Sequence, residues 1–266
     1  MKTTSRLNVI LTVLITFGVY FTLDVIYFNK MRAFLNGTID QIGVSHLLAY
    51  TLSLTPLILG AYLLQKSFKK TLESLGLNQS ILVGFLFCFI CTLPMLIGYM
   101  FVFEFNKQIT VTTILIKAVS SGFFEELIFR GFLFGLLFRY TKLGFILASL
   151  LGAMIFGLMH LYQSNDPLMM LGIFGVTFSG SLFFGWAYAE WKYNIWVPVF
   201  LHLLMNLYFE LFSAGENALG GVYMNIFRIT VILLVIITTI YYKRKTKQSF
   251  EVTKNSWWMK KAMPTS

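Results

Sequence analysis

The chain alternates between long apolar runs and short polar connectors. Eight apolar runs can be placed, at 8–28, 44–65, 80–103, 111–138, 144–162, 168–189, 194–213 and 222–242. Most are about 19–24 residues long, enough to cross about 30 Å of hydrocarbon at 1.5 Å rise per residue. The fourth is longer; it either tilts or ends in a surface turn near Gly131 or Gly135. Lipid offers backbone groups no hydrogen bonds, so spanning segments must be helices or a closed barrel. A barrel needs segments of about ten residues with period two, and these runs do not alternate. The pattern predicts an all-α, polytopic transmembrane helix bundle of about eight spans. It forms a single domain over 1–242, followed by a basic cytoplasmic tail over 243–266.

The connectors carry turn chemistry. Asn36-Gly37 marks the first turn, and Ser67 to Asn78 forms a basic loop. Gln163 to Pro167 is a tight turn whose proline suits the first position of the next helix. Ser213 to Gly221 is a further turn.

Composition agrees. Hydrophobic residues make up 57% of the 266 positions and charged residues 12%, against about 45–50% and about 25% in soluble domains. The net charge of +10 does not indicate nucleic acid, because Lys and Arg sit in short clusters between apolar runs, as topology signals do. With the N-terminus inside, fifteen Lys and Arg residues fall in inner connectors and tails, and three (Lys30, Arg32 and Lys107) in outer ones. Both termini are therefore expected in the cytoplasm. Lys2 and Arg6 precede the first run as in a signal peptide, but the run is too long and lacks a small-x-small cleavage site, so it is expected to remain as the first span. Trp257, Trp258, Lys260 and Lys261 suit a headgroup layer; a solvated tail that only fixes topology is the alternative. Cys88 and Cys91 have redox or metal spacing, but nothing polar surrounds them, and two small packing side chains are expected.

The informative residues are ionisable groups inside spans. Glu125, Glu126 and Arg130 lie in the fourth, His160 in the fifth, and His202 and Asn206 in the seventh. Each charge at mid-span costs about 2.5–3.5 kcal/mol, so three unpaired on one helix would cost about 7–10 kcal/mol. Fold stability is commonly about 5–15 kcal/mol, so these groups must be paired, neutral or wet. Glu126 and Arg130 are four apart and can pair. Glu125 is rotated about 100° away, and its expected partners are His160 and His202. A carboxylate beside imidazole in a partly dry pocket can activate water. His202 and Asn206, also four apart, can donate to a developing oxyanion. Ser120, Ser121, Gly122, Gly131, Gly135, Gly152 and Gly157 would let helices approach closely.

Three functions remain open on these grounds: hydrolysis, ion-coupled transport, and a hydrogen-bonded network that only holds helices together. Other polar groups are weaker signals. Lys117 and Arg228 are expected to snorkel, and Asp24 and His46 lie at span edges. Glu210 either supports the His202–Asn206 stripe or faces water at its span end. The span limits set Glu125 at mid-bilayer, His202 nearer the cytoplasm and His160 nearer the outside, so their convergence requires tilt.

Glu125-Glu126-x-x-x-Arg130, then Phe156-x-x-x-His160, then His202-x-x-x-Asn206 resemble in order and spacing the three motifs of the type II CAAX prenyl endopeptidase and bacteriocin-processing family. The motifs cover about 80 residues, and the eight-span plan extends the likeness along most of the chain. The resemblance implies an intramembrane endopeptidase acting on a membrane-associated or lipidated peptide. By position, Glu125 and His160 would activate water and His202 and Asn206 would hold the oxyanion. Glu126 and Arg130 would orient the pocket, and Phe156 would line it. Members of the family have been described as metalloproteases. Glu125, His160 and His202 could supply three zinc ligands, but no H-E-x-x-H pair is present and the metal-free form, with no cofactor required, is favoured. Compact size and short connectors point to a bacterial membrane, where relatives are linked to peptide maturation and bacteriocin immunity. A noncatalytic immunity or peptide-binding protein is the alternative within that setting. The expected partners are lipid and a peptide or protein substrate, not nucleic acid.

Overall fold

The computed structural model describes residues 5–260. Lys2 and Lys261, both counted above toward the cytoplasmic charge, and the end of the tail lie outside the described residues. The chain is an all-α membrane bundle. Helix α1 spans Arg6–Ile39, α2 Ile42–Ser53, α3 Thr55–Gln65, α4 Phe68–Leu75 and α5 Ile81–Val102. Helix α6 runs unbroken over 111–140. It is followed by α7 Phe145–Met159, α8 Pro167–Glu190, α9 Trp196–Leu211 and α10 Val222–Lys245. Helices α2 and α3 form one traverse, broken at Leu54 just ahead of Pro56. Among the described residues six segments are long and apolar enough to cross a membrane. The shorter apolar α9 and the long α6 bring the traverses to eight, the expected plan.

Capping fixes several starts. Ser5 accepts from Asn8 N, Ser80 from Val83 N, and Asp166 from Met169 N at 2.7 Å. Each supplies an oxygen to a helix-end amide that has no partner within the helix. Pro167 opens α8 as expected.

Helix α6 departs from expectation. It neither turns nor ends near Gly131 or Gly135. Instead its backbone widens to π geometry over Ile114–Glu125 and again over Leu127–Phe134. Such i→i+5 bonding is rare and concentrates at functional sites. Part of the cause lies at Lys117, whose carbonyl accepts from Ser121 Oγ at 2.6 Å and from Asn206 Nδ2 at 3.0 Å. Side chains thus compete for an acceptor that an α-helical amide would use.

Eight traverses give the bundle two faces. One carries the connectors 66–80, 141–144 and 191–195, where Arg139 donates to the Glu73 and Ser74 carbonyls and Asn194 to Ser80 O. The tail packs on this face instead of extending into solvent. Glu190 pairs with Lys243 and accepts from Val252 N at 2.9 Å. The carbonyls of Trp258 and Trp257 accept from Gly144 N and Ile146 N at the start of α7, at 2.7 and 2.9 Å. Lys260 sits 3.8 Å from the Phe138 ring centroid, and burial pushes its ammonium below the ordinary lysine range. The other face carries 40–41, 103–110, 160–166 and 212–221. There Asn106 bonds Glu210 O and Leu211 O, and Gln163 accepts from Ala218 N.

Cys88 and Cys91 are free, buried packing groups as expected. Arg228 does not snorkel: its guanidinium donates to Ala218 O at 2.6 Å and to Asn225 Oδ1 at 2.8 Å, tying down the 212–221 connector. Asp24 lies within α1, whose 34 residues are more than one bilayer crossing needs.

Candidate active site

Helix α6 is the central element. Every residue from Glu126 to Phe138 is buried, whereas 114–125 alternates between core and open space. The transition between these halves falls at the Glu125-Glu126 pair. A cavity of about 630 Å³ begins there, and Glu125, Phe156, His160, His202 and Asn206 all line it. Two local features accompany this convergence. The π register packs more residues into each turn of α6, and α9 is only 16 residues long.

The close approach of α6 and α9 is set at Gly122. A Cβ there would lie 2.7 Å from Leu203 Cβ and 2.8 Å from Leu203 Cα, so only glycine permits this spacing. Four residues along from Gly122 is Glu126, and one before Leu203 is His202. Their side chains meet: His202 Nδ1 lies 2.7 Å from Glu126 Oε1. The same oxygen lies 3.0 Å from Arg130 Nη1. The Glu126–Arg130 pair is therefore present, but His202 joins Glu126 and not Glu125 as expected from helical spacing. The expectation took Arg130 to occupy Glu126, whereas one carboxylate oxygen meets both the guanidinium and the imidazole.

Burial makes this triad costly to disturb. Glu126 is fully buried and Arg130 is 1% exposed. The guanidinium is covered by the rings of Phe156 and Phe184, at 4.7 and 5.4 Å from their centroids, where the ring quadrupole favours a cation. Phe156 also packs against His160 at 4.6 Å. It thus holds the arginine, lines the cavity and supports the imidazole.

The hydrogen bonds assign imidazole protons. His160 Nδ1 lies 2.7 Å from Phe156 O. A carbonyl can only accept, so Nδ1 carries the proton and Nε2 is left as an acceptor when the ring is neutral. His202 Nδ1 faces a carboxylate and also carries a proton. Its Nε2 is the ring nitrogen left free of protein partners. Asn206 uses one amide hydrogen on Lys117 O and retains a second. Glu125 lines the cavity, and its Oε2 is buried with no hydrogen-bond partner in the protein.

At the rim, Lys117 and Glu210 form an ion pair at 3.2 Å across α6 and α9. Lys117, expected to snorkel, keeps an exposed side chain whose ammonium holds the mostly buried Glu210. Two further lining residues, His46 and Tyr50, had drawn no functional assignment. Tyr50 stacks on Phe124, the neighbour of Glu125, at 5.0 Å, and His46 packs edge-on against Tyr50. Their four-residue spacing in an apolar run was the available signal, the same one that drew attention to His202 and Asn206.

Among the described residues no group of three His, Cys, Asp or Glu side chains is placed to hold a metal ion. Phe156 O and Glu126 hold the Nδ1 atoms of His160 and His202, which leaves Nε2 of each as the free nitrogen.

The buried Glu–Arg–His triad and the cavity-lining Glu125 sit inside an all-α bundle, and the class is that of an integral, multi-pass membrane protein. Residues 106–208 match the family model described as "Type II CAAX prenyl endopeptidase Rce1-like". All three motifs fall inside that stretch, so the resemblance drawn from them is borne out at the level of the family. The chain is also similar to the protein named "Putative membrane peptidase YdiL" of Bacillus subtilis (strain 168), at 36% identity over 95 residues. That match covers 36% of this chain and 34% of the relative, so it spans about a third of the relative's length. No solved structure matches the chain.

Proposed function

We propose that the chain is an intramembrane endopeptidase in which Glu125 is the general base. The observation that supports this most is the shared cavity: one open carboxylate, two imidazoles and an amide, drawn from three helices, line the same wall. Glu125 takes a proton from water as the oxygen attacks the scissile carbonyl carbon, and His160 Nε2 accepts from the same water and aligns it. The carbonyl oxygen becomes an oxyanion, which receives the second Asn206 amide hydrogen and the Nε2 hydrogen of an imidazolium His202. Glu126 holds that imidazolium by its Nδ1 hydrogen. Glu125 then passes its proton to the leaving amine nitrogen as the C–N bond breaks, so one water is consumed and the carboxylate is restored.

Many residues of the wall are apolar or aromatic, among them Met95, Phe183, Phe184, Met205 and Ile232. They suit an extended peptide with apolar side chains, held at the membrane. The test is cleavage of an internally quenched apolar peptide by the purified protein in detergent or nanodiscs. Wild type should cleave it and Glu125→Gln should not, with unchanged thermal unfolding. Equal activity in that variant would remove Glu125 as base and the proposal with it.

A further inference from the structure

We infer that the cavity opens on the non-cytoplasmic face of the membrane, so that the polypeptide it admits is one already exported from the cytoplasm. This rests on the proposed endopeptidase function for the word substrate, but the direction of opening rests on geometry and charge alone.

The geometry comes from α6. Between Glu126 and the tail-bearing face every residue of α6 through Phe138 is buried. Around that half sit Leu75 of α4, whose carbonyl is 3.1 Å from a Cβ at Gly131, and Ile195 of the 191–195 connector, 3.5 Å away. Below them the tail is bonded across 142–146. Protein therefore fills the path from Glu125 to that face. Toward the opposite face the cavity continues past Lys117 and Glu210 to Gln163, Glu216 and Asn217, which belong to the 160–166 and 212–221 connectors. The way in is from that side.

Charge then orients the bundle. Among the described residues the sealed face bears Lys66, Lys69 and Lys70, Arg139 and Lys142, Lys192, and the basic run from Lys243. The open face carries Lys107 in a connector and Lys30 and Arg32 near the end of α1, three basic residues in all, against Asp40, Glu104, Asp166 and Glu216. An excess of Lys and Arg in short connectors marks the cytoplasmic side, worth about 1 kcal/mol per residue near an anionic leaflet. The sealed face is thus cytoplasmic and the open face is not. A substrate made and kept in the cytoplasm would have no route to Glu125.

Two measurements test this separately from catalysis. A membrane-impermeant maleimide is applied to intact cells expressing Glu216→Cys or Lys69→Cys; the native cysteines are buried and wild type is the blank. Glu216→Cys should be modified on intact cells, and Lys69→Cys only after permeabilisation. Modification of Lys69→Cys on intact cells, or protection of Glu216→Cys until permeabilisation, overturns the inference. The quenched peptide is then added to right-side-out and inside-out vesicles of wild type. Cleavage confined to right-side-out vesicles is expected, and cleavage confined to inside-out vesicles overturns the inference even if the enzyme is real. Cleavage by neither, with labelling as expected, removes the endopeptidase reading and leaves the orientation standing.

Discussion

His202 Nδ1 and Glu126 Oε1 are 2.7 Å apart, although 76 residues separate them in the chain. The contact fixes which imidazole nitrogen faces the cavity, and it ties α9 to a carboxylate that Arg130 already neutralises. The second glutamate of the motif is therefore the one bound into the network, and under the proposed function the first is the base. This division sets different expectations for two adjacent residues.

Glu125→Gln should lower the rate of peptide cleavage by about 10²–10⁴-fold, the range for loss of a general base. The unfolding temperature in detergent should stay within about a degree of wild type, since Oε2 of Glu125 has no protein partner to lose. A large drop in stability would show that Glu125 is structural.

Glu126→Gln should do the reverse at first reading. It strips the buried Arg130 of its counter-charge, and breaking such a pair costs about 3–5 kcal/mol. The double variant Glu126→Gln with Arg130→Met should be more stable than Glu126→Gln alone, because no uncompensated cation remains. Both variants should be inactive, since His202 loses its anchor. Chemical denaturation in mixed micelles measures the first effect and peptide cleavage the second.

Asn206→Ala should reduce kcat by about 10²–10³-fold with little change in KM, as loss of one oxyanion donor does. If Asn206 serves only to hold Lys117 O, KM and stability will move instead.

Much of this architecture was legible beforehand. Eight apolar runs gave eight traverses because length and hydropathy alone decide what lipid accepts. Glu126 and Arg130 were paired from spacing alone. The partner of His202 was not, because spacing does not show that one Glu126 oxygen meets both Arg130 and His202. His46 and Tyr50 were passed over although they stand four apart, because nothing in the sequence sets Tyr50 beside Phe124 or His46 at the cavity. The docking of the tail was hidden for a different reason: the carbonyls of Trp257 and Trp258 make the decisive contacts, and every residue has a carbonyl.

Removal of divalent metal should leave cleavage intact. Glu125, His160 and His202 line one cavity without forming a three-ligand cluster. Incubation with EDTA or 1,10-phenanthroline, followed by the peptide assay, should give wild-type rates. Loss of activity restored by zinc alone would require the side chains to regroup around an ion and would replace the water-activation scheme.

Gly122→Val tests the claim that backbone proximity builds the site. The added Cβ would fall 2.7 Å from Leu203 Cβ, well inside van der Waals contact, and the branched side chain cannot retreat along the helix. Overpacking of this kind costs about 1–3 kcal/mol, and relief requires α9 to move outward from α6. Such movement lengthens the His202–Glu126 contact, so activity should fall far more than stability alone predicts. Gly122→Ala carries the same Cβ without the branches and should retain more activity than valine. Helix separation can be read by double electron–electron resonance between spin labels at Glu216→Cys and Lys107→Cys, compared in the Gly122 and Gly122→Val backgrounds. An unchanged distance with wild-type activity would mean that the two helices tolerate the methyl groups, and that Gly122 does not set the geometry on which His202 depends.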